Sequence, residues 1–166
     1  MSTTAFPAPR AAGDLVQDFT LDDQDGTPRS LSDFAATPVV LFFYPRADTP
    51  GCTIEACGFR DSFERLQAAG ITVLGISRDT AKAQKKFQQK YNLPYPLLAD
   101  PDERICAYFD VIKPKSMYGK LVKGVERTTF VIAPADAEGH QRLLHTFVKV
   151  KPEGHADEVL ALLAMS

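Results

Sequence analysis

The chain has 166 residues, 45% of them hydrophobic and 24% charged, with a formal net charge of −2 and no tryptophan. That length is enough for one domain whose core needs no disulfide or metal staple. Neither a long run of one charge sign nor an apolar stretch near the ~20 residues of a membrane span occurs, which argues against nucleic-acid and membrane partners.

Residues 1–12 mix small residues and prolines without the apolar centre of a signal peptide, so they read as a short flexible lead-in to a single domain over 13–166. Three cysteines are an odd number and too few for a secreted disulfide framework. Reduced thiols and a cytoplasmic location are therefore expected. Val16–Ser32 carries the Asp25-Gly26 turn signal between two short strands. Val39–Tyr44 is a continuous apolar run, the pattern of a central strand buried on both faces. A helix is predicted over Pro50–Ala69, with Ile54, Cys57, Phe63 and Leu66 as its apolar stripe. Gly70 ends it, and Ile71–Ser77 is a second buried strand.

A helix with a basic, solvated face (Lys82, Lys85, Lys86, Lys90) follows over Thr80–Tyr91. Pro94–Asp100 is extended, because its prolines forbid helix. A helix over Pro101–Phe109 precedes a loop containing Pro114 and Gly119. Strands over Arg127–Ile132 and Gln141–Val150 and a helix over Glu153–Met165 complete the chain. Early strand–helix alternation predicts parallel pairing with right-handed crossovers, and the late strand pair predicts an antiparallel hairpin. The result is an α/β chain with an N-terminal β-hairpin and a mixed central sheet flanked by helices, the thioredoxin-like arrangement.

The chemistry concentrates in Pro45-Arg46-Ala47-Asp48-Thr49-Pro50-Gly51-Cys52-Thr53-Ile54-Glu55-Ala56-Cys57. Thr49 reads as an N-cap and Pro50 as the first helical residue. Cys52 then sits among unpaired backbone N–H groups at the positive end of the helix dipole, which favours thiolate, the nucleophilic form. Cys57 lies five residues on. On an intact helix that spacing separates the Cα atoms by roughly 8–9 Å, beyond the ~7 Å that a disulfide spans. The two can pair only if part of the helix unwinds. Cys57 also fits a buried packing role, and Cys106 reads as a packing cysteine. The remaining Cys and His residues (Cys106, His140, His145, His155) form no zinc-ligand pair, so neither a metal nor a cofactor is expected. Glu55 in the first turn is accounted for by the helix dipole alone. Arg127, taken by itself, reads as a surface ion-pair residue.

Pro45, Thr49 and Cys52 match the Pro-x3-Thr-x2-Cys signature of peroxiredoxins. Thr49–Asp61 resembles the fuller pattern of the PrxQ, or bacterioferritin-comigratory-protein, subgroup. Lys115–Lys120 and Gly124–Ile132 resemble further segments of that subgroup. The resemblance runs from about Ala12 to the C-terminus, and it implies a thiol-dependent peroxidase. Cys52 would attack a peroxide and become a sulfenic acid. Thr49 would hydrogen-bond the peroxide, and Pro45 would shield the site from water. Arg127 would stabilise the thiolate and the charge that develops on the oxygens. Cys57 would resolve the sulfenic acid as an intramolecular disulfide, which thioredoxin or a similar dithiol would reduce. Because such a cycle needs no second subunit, a monomer is favoured. Two other readings stay open: a one-cysteine peroxidase with an external resolving thiol, and a sensor that relays its oxidation to a partner protein.

Overall fold

The computed structural model describes residues 7–164. Its nine strands are β1 (Thr20–Asp22), β2 (Pro28–Ser30), β3 (Val39–Phe43), β4 (Thr72–Ser77), β5 (Leu97–Ala99), β6 (Ile112–Met117), β7 (Lys120–Val125), β8 (Thr128–Ile132) and β9 (Leu143–Phe147). Its α-helices are α1 (Pro50–Asp61), α2 (Phe63–Ala68), α3 (Ala81–Tyr91), α4 (Arg104–Tyr108) and α5 (His155–Ala164). Seven strands form one mixed sheet in the order β2-β1-β5-β4-β3-β8-β9. β3, β4 and β5 run parallel, β8 pairs antiparallel with β3, and β9 pairs antiparallel with β8.

β3 is the centre of this arrangement because every residue in it is apolar and buried. Its side chains alternate between two cores, as the two-residue period of a strand requires. Val39, Leu41 and Phe43 join Leu74, Ile105, Phe109 and Phe130 on one face. Val40 and Phe42 join Cys52, Phe59, Phe87, Tyr95 and Val159 on the other. On that second face Phe42 stacks on Phe59 of α1 with centroids 4.8 Å apart, and Tyr95 meets it edge-on at 5.7 Å. Aromatic pairs of this kind add ~0.5–1.5 kcal/mol beyond area burial. Gly75 of β4 makes room for Phe42, since a Cβ there would lie 2.9 Å from its ring.

Several expected elements change shape. The long first helix is two helices that break at Ser62, whose backbone (φ −97°, ψ 3°) leaves the helical region. The buried face of α1 carries Cys52, Glu55, Ala56 and Phe59, whereas Ile54 is exposed and Cys57 only half-buried. The expected stripe through Ile54 and Cys57 is therefore out of phase with the buried face. The helix expected from Pro101 starts only at Arg104, because the Asp100 carboxylate accepts the N–H groups of Ile105 and Cys106 and Glu103 turns left-handed. Cys106 is fully buried, as expected of a packing cysteine.

The loop expected around Pro114 is a two-stranded antiparallel ribbon, β6–β7. Tyr118 and Gly119 both have positive φ, the backbone of a tight hairpin turn. Pro114 is tolerated there because a two-stranded ribbon is all edge. Tyr118, at the tip, neither packs nor lines a site; its side chain is almost wholly exposed. The lead-in is held from Pro9, which is buried, and Asp14 accepts the N–H groups of Arg10 and Ala11. Its residues 1–6, like Met165, lie outside the described residues.

Candidate active site

The C-terminal end of β3 and the N-terminal end of β8 lie side by side, with Phe43 opposite Thr128. That register brings Arg127, the residue before β8, to the start of α1. Its main chain is held on either side. The Arg127 carbonyl accepts from Val150 N–H at 3.0 Å, and Thr128 Oγ1 donates to the Glu126 carbonyl at 2.8 Å. The side chain is only 14% exposed, so Arg127 is not the surface residue that it resembles in isolation.

The guanidinium forks. Nη2 lies 3.4 Å from Cys52 Sγ, and Nη1 donates to Glu55 Oε1 at 2.8 Å. Cys52 is in the first turn of α1 and only 1% exposed. Its sulfur thus faces a fixed positive charge at the positive end of a helix, almost wholly shielded from solvent. Glu55 is buried, and its Oε2 has no hydrogen-bond partner among the described residues. Burial pushes its carboxyl up to about 7, while the charge of Arg127 pulls the other way. Glu55 is a site residue that the sequence reading misses. The signal that could have found it is its spacing: three residues after Cys52 on the helical face that continues to Ala56 and Phe59. Gly51 is missed as well. A Cβ at this position would stand 2.9 Å from Arg127 Nη2 and 3.4 Å from Pro152 Cγ, so only glycine lets the guanidinium lie across the helix start.

Thr49 occupies the N-cap position with an extended backbone, and its carbonyl accepts Thr53 N–H at 2.8 Å. Its hydroxyl makes no cap bond and donates to the Arg46 carbonyl at 2.8 Å, which leaves the oxygen's lone pairs free to accept. Pro45 is half-buried at the head of the same loop. The loop is pinned at two points. Ala47 N–H donates to Asp79 at 2.8 Å, and left-handed Asp48 accepts from Lys90 Nζ and Tyr91 Oη at 2.9 and 2.8 Å.

Cys57 stands apart from this group. It is half-buried on the same unbroken helix, and burial raises its thiol pKa, with Arg60 opposing. All three cysteines are free thiols. α5 backs the site: His155 bonds Thr129 Oγ1 and Glu158 Oε1, each at 2.8 Å, and meets Phe59 edge-on at 5.7 Å. Among the described residues there is no cluster of side chains that could hold a metal, and no helix long and apolar enough to cross a membrane.

A buried cysteine under a guanidinium at a helix start, on a thioredoxin-like sheet, defines a thiol-based redox site. Comparison with known proteins gives this class its family. Residues 12–137 match the AhpC/TSA family. The chain is 49% identical over 145 residues to a putative peroxiredoxin bcp of Coxiella burnetii, covering 87% of this chain and 93% of the relative. It is 43% identical over 152 residues to peroxiredoxin Bcp of Escherichia coli K12, covering 92% and 94%. Among solved structures, Xanthomonas campestris peroxiredoxin Q superposes with a TM-score of 0.81 at 41% identity, covering 89% of this chain and 90% of that one. A Xylella fastidiosa PrxQ variant gives 0.86 at 37% identity, covering 93% and 96%. The chain belongs to the AhpC/TSA family and, within it, groups with the peroxiredoxins of the Bcp/PrxQ type, which are thiol peroxidases.

Proposed function

We propose that the chain reduces hydrogen peroxide and organic hydroperoxides through a Cys52–Cys57 cycle that thioredoxin recharges. The observation that carries this reading is the guanidinium of Arg127, 3.4 Å from a buried Cys52 sulfur. A structure of Xanthomonas campestris bacterioferritin comigratory protein, related at 41% identity, is described as bearing on its alkyl peroxide reduction, which supports the wider substrate range.

The Cys52 thiolate attacks one peroxide oxygen. An S–O bond forms, the O–O bond breaks, and the departing oxygen takes a proton to leave as water or alcohol. Arg127 and the free N–H groups of the first helical turn face the charge that develops on the oxygens; donors fixed in advance in a dry site stabilise that charge most. Thr49 Oγ1, its own proton committed to the Arg46 carbonyl, accepts the peroxide O–H. Pro45 covers the pocket mouth. Cys57 then displaces the sulfenic oxygen: an S–S bond forms, and the oxygen leaves as water with the Cys57 proton. Since both sulfurs lie on one helix, α1 unwinds locally for this step, and one subunit suffices. An external dithiol reduces the disulfide by exchange.

The test is NADPH oxidation coupled through thioredoxin and thioredoxin reductase with hydrogen peroxide or cumene hydroperoxide. Cys52→Ser abolishes turnover, and Cys57→Ser reduces it sharply while leaving sulfenic acid formation intact. Unchanged turnover in Cys57→Ser would replace the two-cysteine cycle by a one-cysteine one. Oxidation of Cys52 without turnover would point to another reductant.

A further inference from the structure

The peptide between Ala56 and Cys57 is held from outside its helix. Tyr95, 2% exposed, donates its hydroxyl to the Ala56 carbonyl at 2.7 Å. That carbonyl belongs to the same peptide plane as the Cys57 nitrogen, and it sits inside α1, where the i→i+4 ladder already supplies a donor. The tyrosine bond is an addition to a satisfied group. It comes from a rigid mount. The Tyr95 ring lies edge-on to Phe42 at 5.7 Å and near Phe63 at 6.3 Å. On the chain beside it, the Tyr95 carbonyl accepts Gln88 Nε2 at 3.3 Å and the Pro96 carbonyl accepts Gly75 N–H at 3.2 Å. A second tether acts one turn on, where Arg60 Nη1 donates to the Tyr91 carbonyl at 2.8 Å. Tyr91 and Tyr95 therefore grip α1 at and beyond the turn that contains Cys57, away from the first turn, which holds Cys52.

Cys57 cannot meet Cys52 unless the Ala56–Cys57 peptide rotates out of the helix. That rotation breaks the tyrosine bond. We infer that Tyr95 is a positioning residue that sets the pace of resolution: its hydroxyl holds the resolving turn helical and lengthens the life of the Cys52 sulfenic acid. The inference rests on the Cys52–Cys57 cycle proposed above. Its chemical consequence is a competition. The sulfenic acid either condenses with the Cys57 thiol, releasing water, or attacks a second peroxide, breaking its O–O bond and releasing water or alcohol, and becomes a sulfinic acid, which thioredoxin does not reduce. A stronger tether favours the second outcome.

Tyr95→Phe keeps the ring and removes only the hydroxyl, and the Ala56 carbonyl keeps its helical partner. A neutral hydrogen bond of ordinary net strength shifts an equilibrium by about fivefold. Reduced protein is mixed with one equivalent of hydrogen peroxide to follow the disulfide and with rising excesses to follow the sulfinic acid, quenched on the millisecond scale with a thiol alkylator, and read by mass spectrometry. Tyr95→Phe should form the Cys52–Cys57 disulfide about fivefold faster and need about fivefold more peroxide for half-conversion to sulfinic acid. Its sulfenic acid should form at the parent rate, a split that a general loss of structure does not produce. Arg60→Gln, which releases the second tether, should move resolution in the same direction. Equal resolution rates in parent and Tyr95→Phe overturn the tether while leaving the cycle intact. Absence of the Cys52–Cys57 disulfide in the parent overturns the cycle and the tether together. In that case unchanged amide exchange at residues 57–60 of reduced Tyr95→Phe separately shows that the hydroxyl held nothing.

Discussion

The two cysteines of α1 share one helix and differ in what holds them. Cys52 is enclosed and faces a guanidinium anchored by a buried carboxylate. Cys57 is half-buried, and its turn is held from outside the helix by a neutral hydroxyl and, one turn on, by a partly exposed arginine. Hydrogen bonds with an ionised partner are roughly twice as strong as neutral ones, and Arg127 makes its two contacts at 14% exposure whereas Arg60, the charged tether of the second turn, is 34% exposed. The first turn is therefore the fixed end and the second turn the yielding one. A single helix can serve both as a rigid pocket for peroxide and as a hinge for disulfide formation because its two turns are restrained so unequally.

The largest effect comes from unfixing the fixed end. Arg127→Lys preserves a positive charge but replaces a fork that serves Cys52 and Glu55 together by a single ammonium. Removing one fixed donor from a charge-stabilising site costs on the order of 10²–10³ in rate. The second-order rate of Cys52 with hydrogen peroxide should fall by about that factor, while the disulfide, once sulfenic acid is present, should form at the parent rate. A loss confined to the resolving step would reverse the assignment of the two turns. The lysine variant is preferred to alanine, since leaving Glu55 buried without its partner would cost ~3–5 kcal/mol and confound the rate with stability.

A smaller loss is expected from Gly51→Ala. The added methyl would stand 2.9 Å from Arg127 Nη2, so the guanidinium must shift by a fraction of an ångström. Displacements of that order at a reacting centre cost about tenfold or more in rate. Alanine is otherwise the better helix former, by ~1 kcal/mol. Peroxide reduction should therefore drop about tenfold with the melting temperature unchanged or raised. A parallel fall in both quantities would show that Gly51 serves packing against Pro152 instead of the position of Arg127.

How much of this is legible in the sequence divides along the same helix. Thr49, Pro50 and Cys52 announce themselves locally, through an N-cap, an N1 proline and a first-turn thiol. Arg127, 75 residues away, becomes part of the site only through the register of β3 against β8, and from the chain alone it enters by family resemblance. Glu55 is hidden by its charge: an acidic residue in a first turn already has an explanation in the helix dipole, although its phase with Cys52 and Phe59 places it inside. The stripe drawn through Ile54 and Cys57 fails because apolar identity is weighed above that phase. The β6–β7 ribbon escapes notice because Pro114 reads as a breaker, while Tyr118-Gly119 is a weaker turn signal than Asn-Gly. The sense of pairing in the central sheet, parallel between β3 and β4 and antiparallel between β8 and β9, is legible because β3 and β4 are buried, largely apolar runs joined through helices, whereas the docking of β1 on β5 leaves no local signal.

The finest prediction concerns protons at the fixed end. Burial raises the Glu55 carboxyl from 4.5 to about 7, so between those values the folded state binds more protons than the unfolded one. Its contribution to stability is thus full below about pH 4.5 and is lost as the pH rises through 7. His155 behaves in the opposite sense. Burial lowers its pKa below the ordinary 6.5, against the pull of Glu158, so its contribution is full above 6.5 and is lost as the pH falls through the folded value. The two slopes oppose each other in the parent and partly cancel, and only paired variants separate them. Relative to Glu55→Gln, the parent should lose stability between about pH 5 and 7.5, by on the order of 2 kcal/mol. Relative to His155→Gln, it should gain stability as the pH rises toward 6.5. Urea midpoints at a few pH values across that range suffice for both. If the stability difference between the parent and the Glu55→Gln variant stays flat with pH, Arg127 keeps Glu55 ionised throughout, and the first turn holds a permanent ion pair instead of a titrating one.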